Sequence, residues 1–309
     1  MSRPPFIEPP SRVTARRIET RRGEFAALEA RPAGTALGTA LLVPGFTGSK
    51  EDFIALLAPL ADAGYRAVAV DGRGQYETPP PTGRDGYRIG ALAEDVLAQA
   101  EAVTGAADGH GARESSGDGT GGGVGDENGG GGELHLLGHS FGGLISRGAV
   151  LRDPAPFASL TLLSSGPGRV ARWPRWRTRA LAALMPVAGP ERVWQALNPK
   201  EGTDAVSRFM RRRWVSNHRG QLRATGRQLR FEPDRVERLA ATGVPVHVVS
   251  GERDDAWPLP LMDDMAERLG ARRTVIKGAA HSPNAEQPGP TAAALLEFWT
   301  ALDAGRPGS

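Results

Sequence analysis

Short apolar runs alternate with amphipathic stretches along almost the whole chain, and this alternation restricts the fold more than any other feature. Thr39–Val43, Tyr65–Val70, Glu133–Leu137, Ser159–Leu163, Pro245–Ser250 and Arg273–Lys277 have the length and composition of strands. Between and after them, Glu51–Ala63, Arg88–Ala102, Phe141–Leu151, Leu259–Leu269 and Thr291–Leu302 carry the periodicity of helices. Strands separated by helices predict a mostly parallel central sheet covered on both faces. A hairpin is expected before it, pairing Arg12–Glu19 with Glu24–Ala30 around Arg22-Gly23.

Two segments break the rhythm. Gly105–Gly132 is dominated by Gly, Ser, Asp and Glu, offers no apolar face, and is expected to be a disordered acidic loop. It holds no Gly-x-x-x-x-Gly-Lys-Ser/Thr pattern and so no phosphate loop. The second break, Gly166–Pro233, is helical in pattern and holds Trp173, Trp176, Trp194 and Trp214, four of the chain's six tryptophans. It lies between two core strands and reads as an inserted helical cap. The expected division is therefore a core of residues 11–165 and 236–304, a cap of 166–235, and flexible termini at 1–10 and 305–309.

Composition narrows the functional classes. Zero cysteines exclude disulfides, cysteine-zinc sites and a cysteine nucleophile. Residues 1–10 carry four prolines and no apolar run, and nothing later approaches the length of a membrane span, so a cytoplasmic protein without a secretory signal is expected. The net charge of +3 is unevenly spread, with fourteen arginines and Lys200 between Arg169 and Arg230 against Glu191, Glu201 and Asp204. No nucleic-acid motif accompanies that basic stretch, which reads as a solvated arginine face.

The chemistry centres on Gly138-His139-Ser140-Phe141-Gly142, where a serine stands between glycines at a strand-to-helix junction. With 41 glycines in 309 residues the pentapeptide alone is a weak signal, and its position gives it meaning. A sharp turn there exposes the serine Oγ above the sheet, and the glycines let neighbouring backbone pass close. A serine hydroxyl is a poor nucleophile, so it needs a base and a carboxylate to orient that base. Of six histidines, His110 falls in the glycine-rich segment, His135 and His247 lie within strands, and His218 is in the cap. His139 is expected to face away from the serine. His281 remains, on a loop at the carboxyl end of a predicted strand, the edge where parallel sheets gather their functional groups. The acid is expected in Gly251-Glu252-Arg253-Asp254-Asp255, another such loop; Asp254 is the first choice, with Asp255 and Glu252 as alternatives. The backbone N–H groups of Phe141 and of Phe46, in the loop Val43-Pro44-Gly45-Phe46, are the expected oxyanion donors.

Taken together these residues resemble the α/β-hydrolase superfamily, in its capped form, over nearly the whole chain outside the glycine-rich insert and the cap. Asp71-Gly72-Arg73-Gly74 resembles the family's Asp-x-Arg-Gly turn. Gly251, Asp254 and Pro258 match its Gly-x-x-Asp-x-x-x-Pro loop, and His281, Glu286 and Pro288 its His-x-x-x-x-Glu-x-Pro pattern. Pro44-Gly45 stands where many relatives have His-Gly, and Gly74-Gln75-Tyr76 replaces Gly-His-Gly. Ser140 separates the chain from relatives with an aspartate nucleophile, such as epoxide hydrolases and haloalkane dehalogenases. The resemblance implies an α/β-hydrolase fold and a serine hydrolase acting on a carboxylic ester or related small acyl compound, with no cofactor or metal. Carbon–carbon bond hydrolysis, amide hydrolysis and cofactor-free perhydrolysis use the same triad and stay open, as does a non-catalytic ligand-binding homologue. Trp173, Trp176, Trp194 and Trp214, with Met185 and Met210, are expected to give the pocket a partly apolar wall. Nothing in the sequence specifies an oligomeric state.

Overall fold

The computed structural model describes residues 1–83, 86–105, 132–170, 189–200 and 202–304. The expected disordered loop at 105–132 lies almost wholly outside these residues, as do Trp173, Trp176, Met185 and the tail at 305–309.

Eight strands form one sheet: β1 (Val13–Thr20), β2 (Gly23–Ala30), β3 (Gly38–Val43), β4 (Tyr65–Val70), β5 (Glu133–His139), β6 (Ser159–Leu163), β7 (Val246–Gly251) and β8 (Arg272–Ile276). Their spatial order is β1-β2-β4-β3-β5-β6-β7-β8. The hairpin pairs Val13 with Ala30 and Thr20 with Gly23, and β2 joins β4 antiparallel. Every pairing from β4 through β3 to β8 is parallel. Strand β3 shows why the central runs are mostly apolar: Leu41 and Val43 enter one core and Ala40 and Leu42 the other. With a side-chain period of two and both faces covered, even the polar strand residues, such as Thr39, His135 and Thr161, are buried.

The first core is closed by α2 (Ile89–Gly105), α3 (Phe141–Val150) and the helix Leu259–Leu269, which contribute Val96, Leu144 and Met265 among others. The second is closed by α1 (Ile54–Asp62) and the long helix Pro288–Ala304 through Leu57, Leu295 and Trp299. Between β6 and β7 the chain forms the helices Ala205–Ser216 and Arg219–Phe231, whose Phe209, Met210, Trp214 and Leu222 build a third, smaller cluster with Trp194. Among the described residues no helix is long and apolar enough to cross a membrane.

One predicted helix changes character. The expected helix from Glu51 begins as a 3-10 turn at Lys50–Phe53 and becomes α-helical only from Ile54. Tertiary bonds hold that first turn: the Lys50 amide donates to Asp71 Oδ1 at 2.8 Å, and Asp52 is gripped by Arg213. Within residues 1–10, expected to be flexible, Ser2 makes buried contacts. Ser2 is buried, its hydroxyl lies 2.8 Å from Ser282 Oγ, and its carbonyl accepts from Arg213 at 2.7 Å. A buried guanidinium needs acceptors on its remaining N–H groups, and the Ser2 carbonyl supplies one.

Gly142 packs against backbone with no room for a side chain. A Cβ there would overlap the carbonyl oxygens of Val43 and Pro44, which are backbone and cannot swing away. Gly142→Ala is expected to lower the unfolding free energy by roughly 2 kcal/mol or more, read as a drop in urea midpoint. At Gly34 an added methyl group would meet nothing within 4 Å, so Gly34→Ala is the control and should stay within about 0.5 kcal/mol of the parent. Equal midpoints for the two variants would contradict the backbone-contact account.

Candidate active site

Ser140 follows directly on β5 and precedes α3, at φ 54° and ψ −119°. A non-glycine residue there is strained, and the strain is held by its surroundings: the Ser140 amide donates to the Leu163 carbonyl at 2.8 Å, and the Gly143 amide returns to the Ser140 carbonyl at 3.0 Å. Gly138 lies beneath the turn, where a Cβ would meet the backbone of Gly142 and Gly143 at about 2.5 Å. The turn therefore needs both glycines to lift the hydroxyl above the sheet.

The structure brings the three distant sequence candidates together at the carboxyl edge. His281 Nε2 lies 2.9 Å from Ser140 Oγ, and His281 Nδ1 lies 2.9 Å from Asp254 Oδ1. Of the three acidic candidates it is Asp254 that makes this contact; Asp255 lines the cavity, and Glu252 Oε2 accepts from the Gly278 amide at 3.1 Å. Asp254 is buried, which alone would raise its pKa. The hydrogen bond and charge of His281 and the Ala256 amide outweigh burial and hold it below the ordinary carboxylate value. An ionised carboxylate can only accept, so in the neutral ring Nδ1 carries the proton and Nε2 keeps a lone pair for the serine hydroxyl. Glu286 braces the histidine loop from both sides, accepting from the Ala280 amide at 2.5 Å and the Ser282 amide at 3.0 Å. Gly251 lets the acid loop reach it, because a Cβ there would strike the Ala279 and Ala280 carbonyls.

The loop after β3 sits against the serine. A Cβ on Gly45 would be 3.0 Å from the Ser140 Cβ and 3.1 Å from the His139 carbonyl. The loop turns back through a hydrogen bond from the Gly48 amide to the Gly45 carbonyl at 3.0 Å, with Thr47 in the left-handed region at φ 61°. Gln75, standing where the family has histidine, donates from Nε2 to the same Gly45 carbonyl at 2.8 Å, while its Oε1 accepts from the Gly72 amide at 2.8 Å. Among the described residues nothing accepts from the Phe46 amide. The Phe141 amide opens α3, where the first N–H groups have no acceptor within the helix.

A cavity of about 340 Å³ lies over these groups, lined by Ser140, His281, Phe46, Val170, Trp214 and Leu229 among others. Trp214 therefore faces the space expected of it. Trp194 stands behind it, with ring centroids 6.1 Å apart, and does not line the cavity.

Two features escaped the sequence. His139, expected to face away, lines the cavity, and its Nε2 lies 2.8 Å from the His281 carbonyl. Burial and the neighbouring His281 push it down to about 3, so the ring is neutral and Nε2–H is the donor. Arg213, expected on a solvated face, is fully buried, donating to Asp52 Oδ1 at 2.5 Å while Asn284 donates to the Asp52 carbonyl at 2.7 Å. No periodicity marks one arginine of a triplet as the buried one. Arg211 and the other exposed arginines of this stretch do behave as a solvated face, with Arg211 pairing to Glu191 at 2.5 Å.

Comparison with known proteins agrees with this architecture. The alpha/beta hydrolase family profile matches residues 40–294. A pimeloyl-[acyl-carrier protein] methyl ester esterase from Aeromonas hydrophila subsp. hydrophila is 30% identical over 172 residues, which are 50% of this chain and 66% of that protein, just under two thirds of its length. A thermophilic esterase structure from Thermogutta terrifontis superposes with a TM-score of 0.69 at 21% identity, covering 94% of this chain and 99% of its own. An enol-lactonase from Burkholderia xenovorans gives a TM-score of 0.69 at 19% identity over 92% of this chain and 100% of its own. This chain is a member of the alpha/beta hydrolase family.

Proposed function

We propose that the chain is a serine hydrolase that cleaves a carboxylic ester of a small, partly apolar acyl compound. The observation that carries this reading is the continuous contact from Ser140 Oγ through the His281 ring to Asp254, with both contacts at 2.9 Å. Ser140 attacks the ester carbonyl as its proton passes to His281 Nε2, and Asp254 stabilises the imidazolium that results. The amides of Phe46 and Phe141 receive the oxyanion, His281 returns the proton to the leaving alcohol, and water then releases the acyl group by the same route. His139 holds the His281 backbone and so acts as a positioning residue. The ester class is supported by the methyl ester esterase relative.

The segment 166–235 serves in this reading as a cap over the site. Val170, Trp214 and Leu229 come from it to the cavity, and Arg213 fastens it to Asp52 beside the oxyanion loop. Tyr76, in the Gly-Gln-Tyr departure from the family pattern, meets the cap edge-on through Phe209 at 5.5 Å.

Ser140→Ala is expected to reduce kcat on p-nitrophenyl esters by a factor on the order of 10⁴ or more and to abolish labelling by a fluorophosphonate, with circular dichroism unchanged. A folded Ser140→Ala protein with parental turnover would sink the assignment, and failure of the parent to label would favour a ligand-binding homologue. His139→Ala removes one hydrogen bond to the His281 carbonyl and should slow labelling of Ser140 about 10-fold, with a smaller change in KM. Labelling at the parental rate would remove His139 from the positioning role. Across straight-chain acyl esters, each added methylene that enters the pocket should improve kcat/KM by roughly 4-fold, at about 0.8 kcal/mol per buried group, until the cavity is filled. A flat or falling series would point to a polar acyl group or to amide and carbon–carbon bond substrates.

A further inference from the structure

A second cluster lies at the opposite edge of the sheet, where β5 begins. Glu133, His135 and Asp303 bring one nitrogen and two carboxylate oxygens within 4.8 Å of one another. His135 is 0% exposed, while Glu133 and Asp303 are half-buried at the ends of β5 and of the helix Pro288–Ala304. Ser140 follows His135 by five residues along an extended strand, so the two sites are roughly 16 Å apart. The cluster therefore takes no part in the chemistry proposed at Ser140.

The histidine ring is fixed from several sides. It stacks on Trp299 with ring centroids 4.9 Å apart and meets the edge of Tyr65 at 5.7 Å. Nδ1 is hydrogen bonded to Ser159 Oγ at 2.9 Å, whereas Nε2 is buried without a hydrogen-bond partner. With Nδ1 held at Ser159, Nε2 is the ring nitrogen left without a partner, and the two carboxylates lie beside the ring. Carboxylate oxygens and a buried ring nitrogen gathered in this way are donor atoms that a cation draws together. Asp303 is itself positioned by the Tyr65 hydroxyl, which donates to its Oδ2 at 2.8 Å.

We propose that Glu133, His135 and Asp303 form a binding site for a divalent first-row transition metal, zinc being the ion used to test it. One imidazole and two carboxylates are a ligand set such ions accept. Ser159 and Tyr65 are the outer hydrogen bonds that orient ligands in metal sites. Tetrahedral zinc donors stand roughly 3.4 Å apart, at metal–ligand distances of about 2.1 Å, so a bound ion would draw these donor atoms in from their spacing of up to 4.8 Å. A bound ion would clamp the last helical turn before residue 304 to the first residues of β5, a structural role at the amino edge.

The test uses the full 309-residue chain. After dialysis against chelator, calorimetric titration with Zn²⁺ should show one equivalent bound, and Zn²⁺ should raise the unfolding midpoint. The double variant Glu133→Gln with Asp303→Asn should weaken binding by about 100-fold and lose the thermal shift. His110→Ala should bind as the parent does. Nitrogen-15 NMR of the histidine rings, which needs no variant to fold, should find one ring nitrogen of His135 shifted when zinc is added. Absence of binding, binding unchanged in the double variant, or a His135 ring insensitive to zinc would each overturn the site.

Discussion

The contact between the start of α3 and the end of β3 sets the rest of the structure. It is backbone against backbone, because Gly142 presents no side chain to the Val43 and Pro44 carbonyls and Gly138 presents none to Gly142 and Gly143. With the helix this close, the turn at Ser140 must use a left-handed conformation, and the loop at Gly45 must lie beside it. A hydroxyl raised above the sheet edge and a ring of amides around it are then consequences of packing. The strain at Ser140 is maintained because relieving it would break the bonds to Leu163 and Gly143 and separate two glycine-lined surfaces.

Around that contact, loop positions are fixed by buried polar side chains. Gln75 ties the Gly45 carbonyl to the turn after β4, His139 ties the His281 carbonyl to β5, and Arg213 with Asp52 ties the helices between β6 and β7 to the segment after Gly48. Each links elements that are far apart in the chain. Burying the Arg213 and Asp52 charges is costly, and removing either would leave the other uncompensated in the interior. Asp52 is accordingly pushed upward by burial and pulled back by Arg213. Such links trade stability for definite placement of loops that hydrophobic packing alone would leave loose.

Most of the sheet was legible because its strands are buried on both faces and so read as short apolar runs; Tyr65–Val70 and Ser159–Leu163 match to the residue. The positions of Ser140, Asp254 and His281 were legible for a different reason. Each follows a strand whose carboxyl end lies on one edge, so parallel topology alone brings them near each other. The direction of single side chains is not legible in the same way. Adjacency in sequence argues that His139 and Ser140 face apart, yet the reversal of the chain at φ 54° lets both neighbours face one cavity. Trp194 and Trp214 have the same composition signal, and only the packing of one behind the other decides which meets the cavity. The 3-10 turn at Lys50 was hidden because its cause, Asp71, lies in another part of the chain.

Strand β5 carries one physical device at both of its ends. His135 and His139 are four residues apart and so project to the same face of the sheet. Burial lowers both rings far enough to keep them neutral, at about 4 and about 3. A neutral imidazole has one donor and one acceptor, and its first hydrogen bond decides which nitrogen is left to do something else. At the carboxyl edge the backbone carbonyl of His281 takes the Nε2 proton of His139, and the ring becomes a fixed brace. At the amino edge the Ser159 hydroxyl engages Nδ1 of His135, Nε2 is left without a partner, and two carboxylates lie beside the ring. The same residue type, buried on the same strand, is thus a donor to backbone in one place and a candidate ligand in the other. A carbonyl against the ring fixes His139 as a donor, whereas a hydroxyl and two carboxylates surround His135.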